Sequence, residues 1–595
     1  MTENAPHATL KRRPIDIERQ NQAIASGLDP VLARLIASRP GPQTASPMEI
    51  VSTSLKMLDH PTSLADMDKA VTRLIQALEN NEIIGIETDH DCDGQTSHAV
   101  LVTGLISVLG CKPENIRSYI GHRLKEGYGL SESVANRILA DLPKPTLVIT
   151  ADNGSSDEAR IAVLKDSGID VIVTDHHEIP SSGIPKSAYA VINPTRLDCN
   201  YNDKYIAGCM VAWLLLAGTR QRIMETEKTI LPSLSECLDF VAVGTIADCV
   251  SMARSLNNRA VVNYGMKLIS QGKRPCWRAL RSILSFPLSS EDLGFKIGPL
   301  LNSDGRLACA FGSVSFLLAK SDEEATQWVS HLQEQNVERK AIQDRITRAA
   351  FAEALKQFNQ GKKSLCIFLE AGHAGVHGIS ASRIKDAFGR PVIILCPKED
   401  DPNLLTGSAR SIDQFHLREA LERINESDPA LMERFGGHKG AAGLSLKREH
   451  FIEFSKAFEQ LAQAALKPQD VGPVIWSDGD LPTSYLEISF FQSLYAHLEP
   501  FGREFEFPAF ELTGKVLSLT PMGQTQTHLR LGIAVEDIWI DAVWFGARDS
   551  KESPWPIEKG DSGQFLLSPK IQTYRGDTQL RYQILHCVVE NKLKS

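Results

Sequence analysis

The side chains best equipped for chemistry fall into four short segments. Asp89, His90, Asp91 and Asp93 stand in Thr88–Gly94 (TDHDCDG), and Asp152 stands in Thr150–Gly154 (TADNG). Asp175, His176 and His177 follow Thr174, and Asp248 closes the stretch TIAD. Taken singly, each has an ordinary reading: Asp-Asn-Gly after a strand is most often a turn. DxDxDG opens a calcium loop, but the twelfth position from Asp89 is Val100, not the bidentate Glu that such a loop requires. Their joint placement points elsewhere. The first three segments each follow a short apolar run, EIIGIE (82–87), TLVIT (146–150) and DVIVT (170–174). Functional groups of open α/β sheets gather at the carboxyl ends of the strands, so Asp91, Asp93, Asp152, Asp175, His176 and His177 are expected to converge. Carboxylates packed that closely repel one another unless cations lie among them. Oxygen and imidazole donors suit Mn²⁺, with Mg²⁺ as competitor. The set suffices for two divalent ions about 3.5–4 Å apart, the arrangement that clamps the attacking and leaving oxygens of a phosphoester.

Short strands alternating with helical stretches, such as 95–109 after EIIGIE, imply a parallel sheet with crossover helices. Residues 320–360 read as one charged helical connector, and a second α/β pattern runs from SLCIFLE (364–370) through PVIILC (391–396). Beyond Pro468, strand-like runs at 527–535, 539–544, 564–567 and 580–590 suit a small β-barrel or sandwich. The expected division is therefore an N-terminal arm (1–47), a first α/β domain that carries the acidic segments (48–319), the connector (320–360), a second α/β domain (361–466) and a β-rich domain (467–595). The chain has 595 residues, 42% hydrophobic and 23% charged, and a net charge of −9 (64 − 73). That balance excludes a uniformly basic nucleic-acid coat but not a local basic groove. No apolar run is long enough to span a membrane, and the N-terminus lacks the apolar stretch of a secretion signal. Eleven cysteines without a CxxC pair read as reduced thiols. A cytoplasmic, membrane-free protein is expected.

DHDCDG, ADNG, TDHH and TIADCV resemble the successive motifs of the DHH phosphoesterase superfamily. KEGYGL (125–130), LNSDGR (301–306), GVHGISASRIKDAFGRPVIIL (375–395), GSARSI (407–412) and RFGGHKGAAGLSL (434–446) follow in order, and with the β-rich C-terminus they make nearly the whole chain similar to the bacterial RecJ family. That resemblance implies a parallel-sheet DHH domain, a DHH-associated domain and an OB-like barrel. It implies a single-strand-specific 5′→3′ DNA exonuclease that releases 5′-mononucleotides in recombination and repair. Single-stranded DNA is the implied substrate, single-strand binding protein and a helicase the implied partners, and a monomer the implied state. By the same resemblance Asp91, Asp93, Asp152, His176, His177 and Asp248 hold metal. Asp152 and His177 are also catalytic, while Asp89 and Asp175 orient the ligands. Arg123 lies at the nucleic-acid end of the cleft. Arg306, Ser408 and Arg410 hold the 5′-terminal phosphate, and Gly436, Gly437 and His438 bind substrate. Trp539, Trp544 and Tyr574 are candidates for base stacking, with a barrel-core role the alternative for the tryptophans. Four departures from the family pattern stand out, one of them Gly372, which precedes His373 where the family tends to carry a tryptophan and so removes a stacking surface. Glu87, where some members carry a histidine ligand, reads as a strand residue. Cys92 reads as a buried inert thiol, and Asp304 is expected to weaken the pull of Arg306 on phosphate.

Overall fold

Five short strands, β1 (Ile84–Thr88), β2 (Ile116–Ile120), β3 (Leu147–Ala151), β4 (Asp170–Thr174) and β5 (Ala190–Ile192), form one sheet in the order β2-β1-β3-β4-β5, every pair parallel. All residues of β1 and β3 are buried, as expected of β-branched strands covered on both faces by crossover helices. The computed structural model describes residues 6, 8–42, 45–123, 126–307, 311–548, 550–574 and 577–589. Two helices bear on the site. Cys92–Ser107 starts directly beyond β1 and is capped by Asp91, and Gly208–Glu227 packs against it. A third, Leu238–Ala247, is apolar on all sides and buried along its length, which identifies it as a core helix.

The chain divides into two units. The larger, Ile15–Val337, takes in a distant segment, Ser493–Phe507. That segment fills its interior: Phe501 and Phe505 are buried. The fully buried Arg259 guanidinium donates to the carbonyls of Leu498 (2.8 Å) and Pro500 (3.1 Å) and lies 4.4 Å over the Phe505 ring. A buried charge survives only with such saturation. The expected 467–595 block is thus interrupted, because residues 493–507 find their apolar partners in the larger unit.

The second unit comprises Met1–Pro14, Glu338–Gln492 and Pro508–Ser595. It holds a mixed sheet of β6 (Leu365–Phe368), β7 (Val392–Pro397), β8 (Leu404–Arg410), β9 (Arg434–Gly437) and β10 (Ala441–Lys447), ordered β9-β10-β8-β7-β6. It also holds a closed barrel of β11 (Phe510–Met522), β12 (His528–Val535), β13 (Ile538–Trp544), β14 (Ser562–Tyr574) and β15 (Asp577–Val589). The expected N-terminal arm is not a separate piece. Thr9–Arg12 pairs in parallel with Val474–Ser477, whereas Ile17–Ala25 and Pro30–Ala37 are helices of the larger unit. The charged 320–360 stretch is one helix, Asp322–Asn359, about 57 Å long at 1.5 Å per residue. Its first part buries Ala325, Val329 and Leu332, and its last part buries Ile346, Ala350 and Ala354, so each end is core rather than linker.

Candidate active site

The carboxyl ends of β1, β3 and β4 deliver their side chains to one place. Carboxylate oxygens and imidazole nitrogens form three overlapping groups, Asp152/His176/His177, Asp93/His176/Asp248 and Asp89/Asp91/Asp152, each within 4.8 Å. His176 Nε2 lies 3.1 Å from Asp152 Oδ1, 3.5 Å from Asp248 Oδ2 and 3.9 Å from Asp93 Oδ2.

Local structure explains each placement. Asp91 caps the Cys92–Ser107 helix, its Oδ1 accepting from the amides of Asp93 (2.9 Å) and Gly94 (3.2 Å). Asp93, fully buried, accepts the amides of Gly208 (2.6 Å) and Cys209 (3.0 Å) at the start of the next helix, where the helix dipole favours a carboxylate. Asp152 ends β3 at φ 63°, a left-handed conformation that non-glycine residues adopt mainly where function holds them. Gly208 makes that possible, since a Cβ there would meet Asp152 Cβ and Oδ1 at 2.7 Å.

The electrostatics call for cations. Burial, then the charges of Asp93, Asp91 and Asp248, push the Asp152 carboxyl well above the usual range. Burial and the charges of Asp89 and Asp93 likewise raise Asp91. Asp152 Oδ1, though buried, accepts no hydrogen bond. An uncompensated buried acid is costly in water-free surroundings, and divalent ions held by these oxygens and the His176 ring remove that cost. The donor set fits Mn²⁺ or Mg²⁺.

Asp175 differs from its neighbours. Its Oδ1 accepts from the amides of His176 (2.8 Å) and His177 (3.2 Å) and pairs with His177 Nδ1 (2.8 Å), and its Oδ2 accepts from Ser155 N (3.0 Å). Burial opposes its ionisation, but the charge of His177 and these bonds hold it well below the usual carboxylate range. In return, and against burial of the ring, Asp175 pushes His177 up to about 10. The other nitrogen of His177, Nε2, is 3.0 Å from Tyr128 Oη, and Tyr128 also packs edge-on to His90. Asp89 is buried, pairs with His90 Nδ1 at 2.9 Å, and feels the positive charge of Arg123.

The phosphate-binding candidates lie on both units. Arg306 is on the Gly298–Leu307 helix of the larger unit. Asp304, two positions earlier, faces another side of that helix: it is buried, and its Oδ1 meets His331 Nε2 at 3.3 Å. In the second unit, Ser408 on β8 is opposite Gly443, which is opposite Gly436 on β9, a row with little side chain above the backbone. Gly437 at φ 140° is open to glycine alone, and His438 N donates to Ala441 O (2.8 Å). Arg410 reaches the Ala374–Phe388 helix at Gly378, where a Cβ would meet its Nη2 at 2.8 Å.

Glu87 is fully buried, belongs to none of the three groups, and is raised well above the usual range by burial and by the charge of Asp157. Burial raises the Cys92 thiol similarly, which keeps it protonated and unreactive. On the barrel, Trp539 is 58% exposed and Trp544 half-buried, so Trp539 is not a core residue. The side chain of Tyr574, like Lys125, lies outside the described residues. Sequence reading passed over Tyr128, Gly208 and Gly443; for Tyr128 the signal was its place in the EGYG run.

Comparison with known proteins agrees with this architecture. The family model described as DHH family, N-terminal domain, matches residues 83–245, the DHHA1 domain matches 361–464, and the RecJ OB domain matches 477–586. The Single-stranded-DNA-specific exonuclease RecJ of Escherichia coli is 34% identical over 588 residues, covering 96% of this chain and 97% of that protein. Its counterpart in Salmonella typhimurium is 37% identical over the same span. The crystal structure of RecJ in complex with Mn²⁺ from Thermus thermophilus shares the fold at a TM-score of 0.78, with 24% identity, covering 99% of this chain and 80% of that one. Sequence identity of this order along almost the full length of both chains, with the three domains in the same order, shows that the chain belongs to the RecJ family of DHH proteins.

Proposed function

We propose that this chain is a metal-dependent exonuclease that hydrolyses single-stranded DNA from its 5′ end, releasing 5′-mononucleotides. The observation that carries the reading is the cluster of carboxylates around His176, where burial and mutual repulsion push Asp152 and Asp248 well above the usual range and divalent ions would offset both. Asp91, Asp93, Asp152, His176 and Asp248 would hold two such ions, Asp152 belonging to two of the three groups. Bound there, the ions supply a hydroxide at neutral pH and offset charge on the phosphate.

The chain's own residues do the rest. Asp93 and Asp152 are fixed by the Gly208 helix start and so present their oxygens without reorganisation. His177 has both ring nitrogens engaged, by Asp175 and by Tyr128. That pairing keeps it protonated and oriented, which suits a proton donor to the 3′-oxygen leaving when the phosphorus–oxygen bond breaks. The role of donor thus fits His177 better than that of metal ligand, and Asp89 and Asp175 serve as orienting groups. Arg123 supplies positive charge beside Asp89. Arg306, Ser408 and Arg410 are suited to grip the 5′-terminal phosphate, guanidinium forks doing so bidentately, and Gly436, Gly437 and His438 offer backbone and imidazole to the strand. Trp539 offers a stacking face to a base. Single-strand binding protein and a helicase are the proposed partners, and a cytoplasmic monomer the proposed state; no helix among the described residues is long and apolar enough to cross a membrane.

The test is degradation of 3′-labelled single-stranded DNA in Mn²⁺ or Mg²⁺, beside a blunt duplex and an Asp152→Ala protein. Stepwise shortening from the 5′ end, absent on the duplex and in the variant, is expected. No cleavage in either metal overturns the reading.

A further inference from the structure

The segment Ser493–Phe507 does more than fill the larger unit. Gly502 and Phe505 exchange backbone hydrogen bonds (3.0 and 3.1 Å), which makes Arg503 and Glu504 the tip of a two-residue turn, with Glu504 at φ 63°. The tip is pinned to the loop that follows Asp248. Arg503 O accepts from Met252 N (3.0 Å), and Glu504 Oε2 accepts from Ser251 Oγ (2.5 Å) and Arg254 Nε (2.9 Å). Gly502 sits against Met252 and Ile246. A strained backbone held on several sides is the mark of a residue whose position matters.

Within this fixed frame one side chain is uncommitted. The guanidinium of Arg39 donates to the Glu506 carbonyl, that of Arg254 pairs with Glu504, and that of Arg259 is saturated by carbonyls. The Arg503 side chain is exposed, and its guanidinium forms no hydrogen bond or ion pair with any described residue. Its charge nonetheless reaches the metal site. The residues that pin its turn, Ser251, Met252 and Arg254, follow the metal-site residue Asp248 directly in the chain, so the guanidinium is held beside that carboxylate. An exposed guanidinium on a rigid turn beside a metal-site carboxylate has the chemistry of a phosphate ligand.

We propose that Arg503 binds a phosphate of the single strand next to the scissile bond, a substrate contact delivered to the catalytic unit by the far end of the chain. The proposal rests on the nuclease reading above. Lysine retains the charge at this position but not the fork, and a phosphate contact made by one residue is lost only once.

The experiment compares full-length wild type, Arg503→Ala and Arg503→Lys on single-stranded oligonucleotides in Mn²⁺, each with one neutral methylphosphonate linkage near the 5′ end. Wild type on unmodified DNA tests the nuclease reading separately. Expected for Arg503→Ala is a fall in kcat/KM of about 10- to 100-fold, partly restored by lysine. At one linkage, neutralising the phosphate should slow wild type by the same factor and slow Arg503→Ala no further, the signature of a shared contact. A kcat/KM within about twofold of wild type overturns the proposal. So does a methylphosphonate cost that is the same in both proteins at every linkage. A loss of activity with loss of the Mn²⁺-induced rise in melting temperature also overturns it, since that assigns Arg503 to holding Asp248.

Discussion

Asp152 combines a left-handed backbone with four acidic neighbours, and both features cost stability while no cation is bound. Asp152→Asn should therefore melt higher than wild type in chelator. Wild type should gain about 2.7 kcal/mol at Mn²⁺ a hundredfold above its dissociation constant, and the variant far less; differential scanning fluorimetry with and without Mn²⁺ reads both. An equal Mn²⁺ response in the two proteins would remove Asp152 from the metal site. Tyr128→Phe keeps the ring against His90 and deletes the bond to His177. A kcat lower by about 10-fold with KM within twofold is expected from steady-state kinetics. The acidic and histidine residues at the strand ends were legible because their types are rare together and their spacing follows strands. Tyr128 was not, because an aromatic in a glycine-rich loop looks the same whether it touches a histidine 49 positions away or solvent.

The strands of the parallel sheet were legible for a physical reason. EIIGIE, TLVIT and DVIVT are short, β-branched and bounded by polar turns; the third is the observed strand itself, and the other two differ from theirs by one or two residues at each end. The barrel was read less well. Its first strand, Phe510–Met522, alternates weakly and was passed over, and Ser562–Tyr574 runs well beyond the expected 564–567. Trp539 lies on that barrel with its indole beside Gly532, where a Cβ would meet Nε1 at 2.6 Å. Trp539→Ala should weaken single-strand binding by about 1–3 kcal/mol in fluorescence anisotropy, with the melting temperature little changed. In the Ser493–Phe507 segment, burial pushes the Glu499 carboxyl up from 4.5 to about 7. Between those pH values the folded chain keeps a proton that the unfolded chain has released, so stability falls as pH rises through the window. Glu499→Gln can still accept from Phe501 N. It should match wild type below pH 4.5 and exceed it at pH 8 by on the order of 3 kcal/mol, as seen in melting curves across pH.

The order of the domains along the chain was legible at the scale of the whole molecule, because each has its own texture of strand and helix. The interleaving was not. Residues 493–507 carry no motif, and only the burial of their own Phe501 and Phe505 betrays where they pack. A chain ending at residue 492 keeps every metal-site carboxylate yet leaves Arg259 buried without its carbonyls, a loss on the order of 3–5 kcal/mol. Such a truncation should show a lower, broader melt and a weakened Mn²⁺ response.

That threading also sets a timetable during synthesis. Domains generally fold as they leave the ribosome, the N-terminal one first. Here the unit that begins at Ile15 is complete only when Phe507 has been made. A nascent or prematurely ended chain, although it already carries Asp91 through Asp248, lacks the turn that fixes the loop after Asp248. Chains that end before Phe507 are therefore expected to lack the support for the loop after Asp248 and to cut DNA more slowly than the full chain.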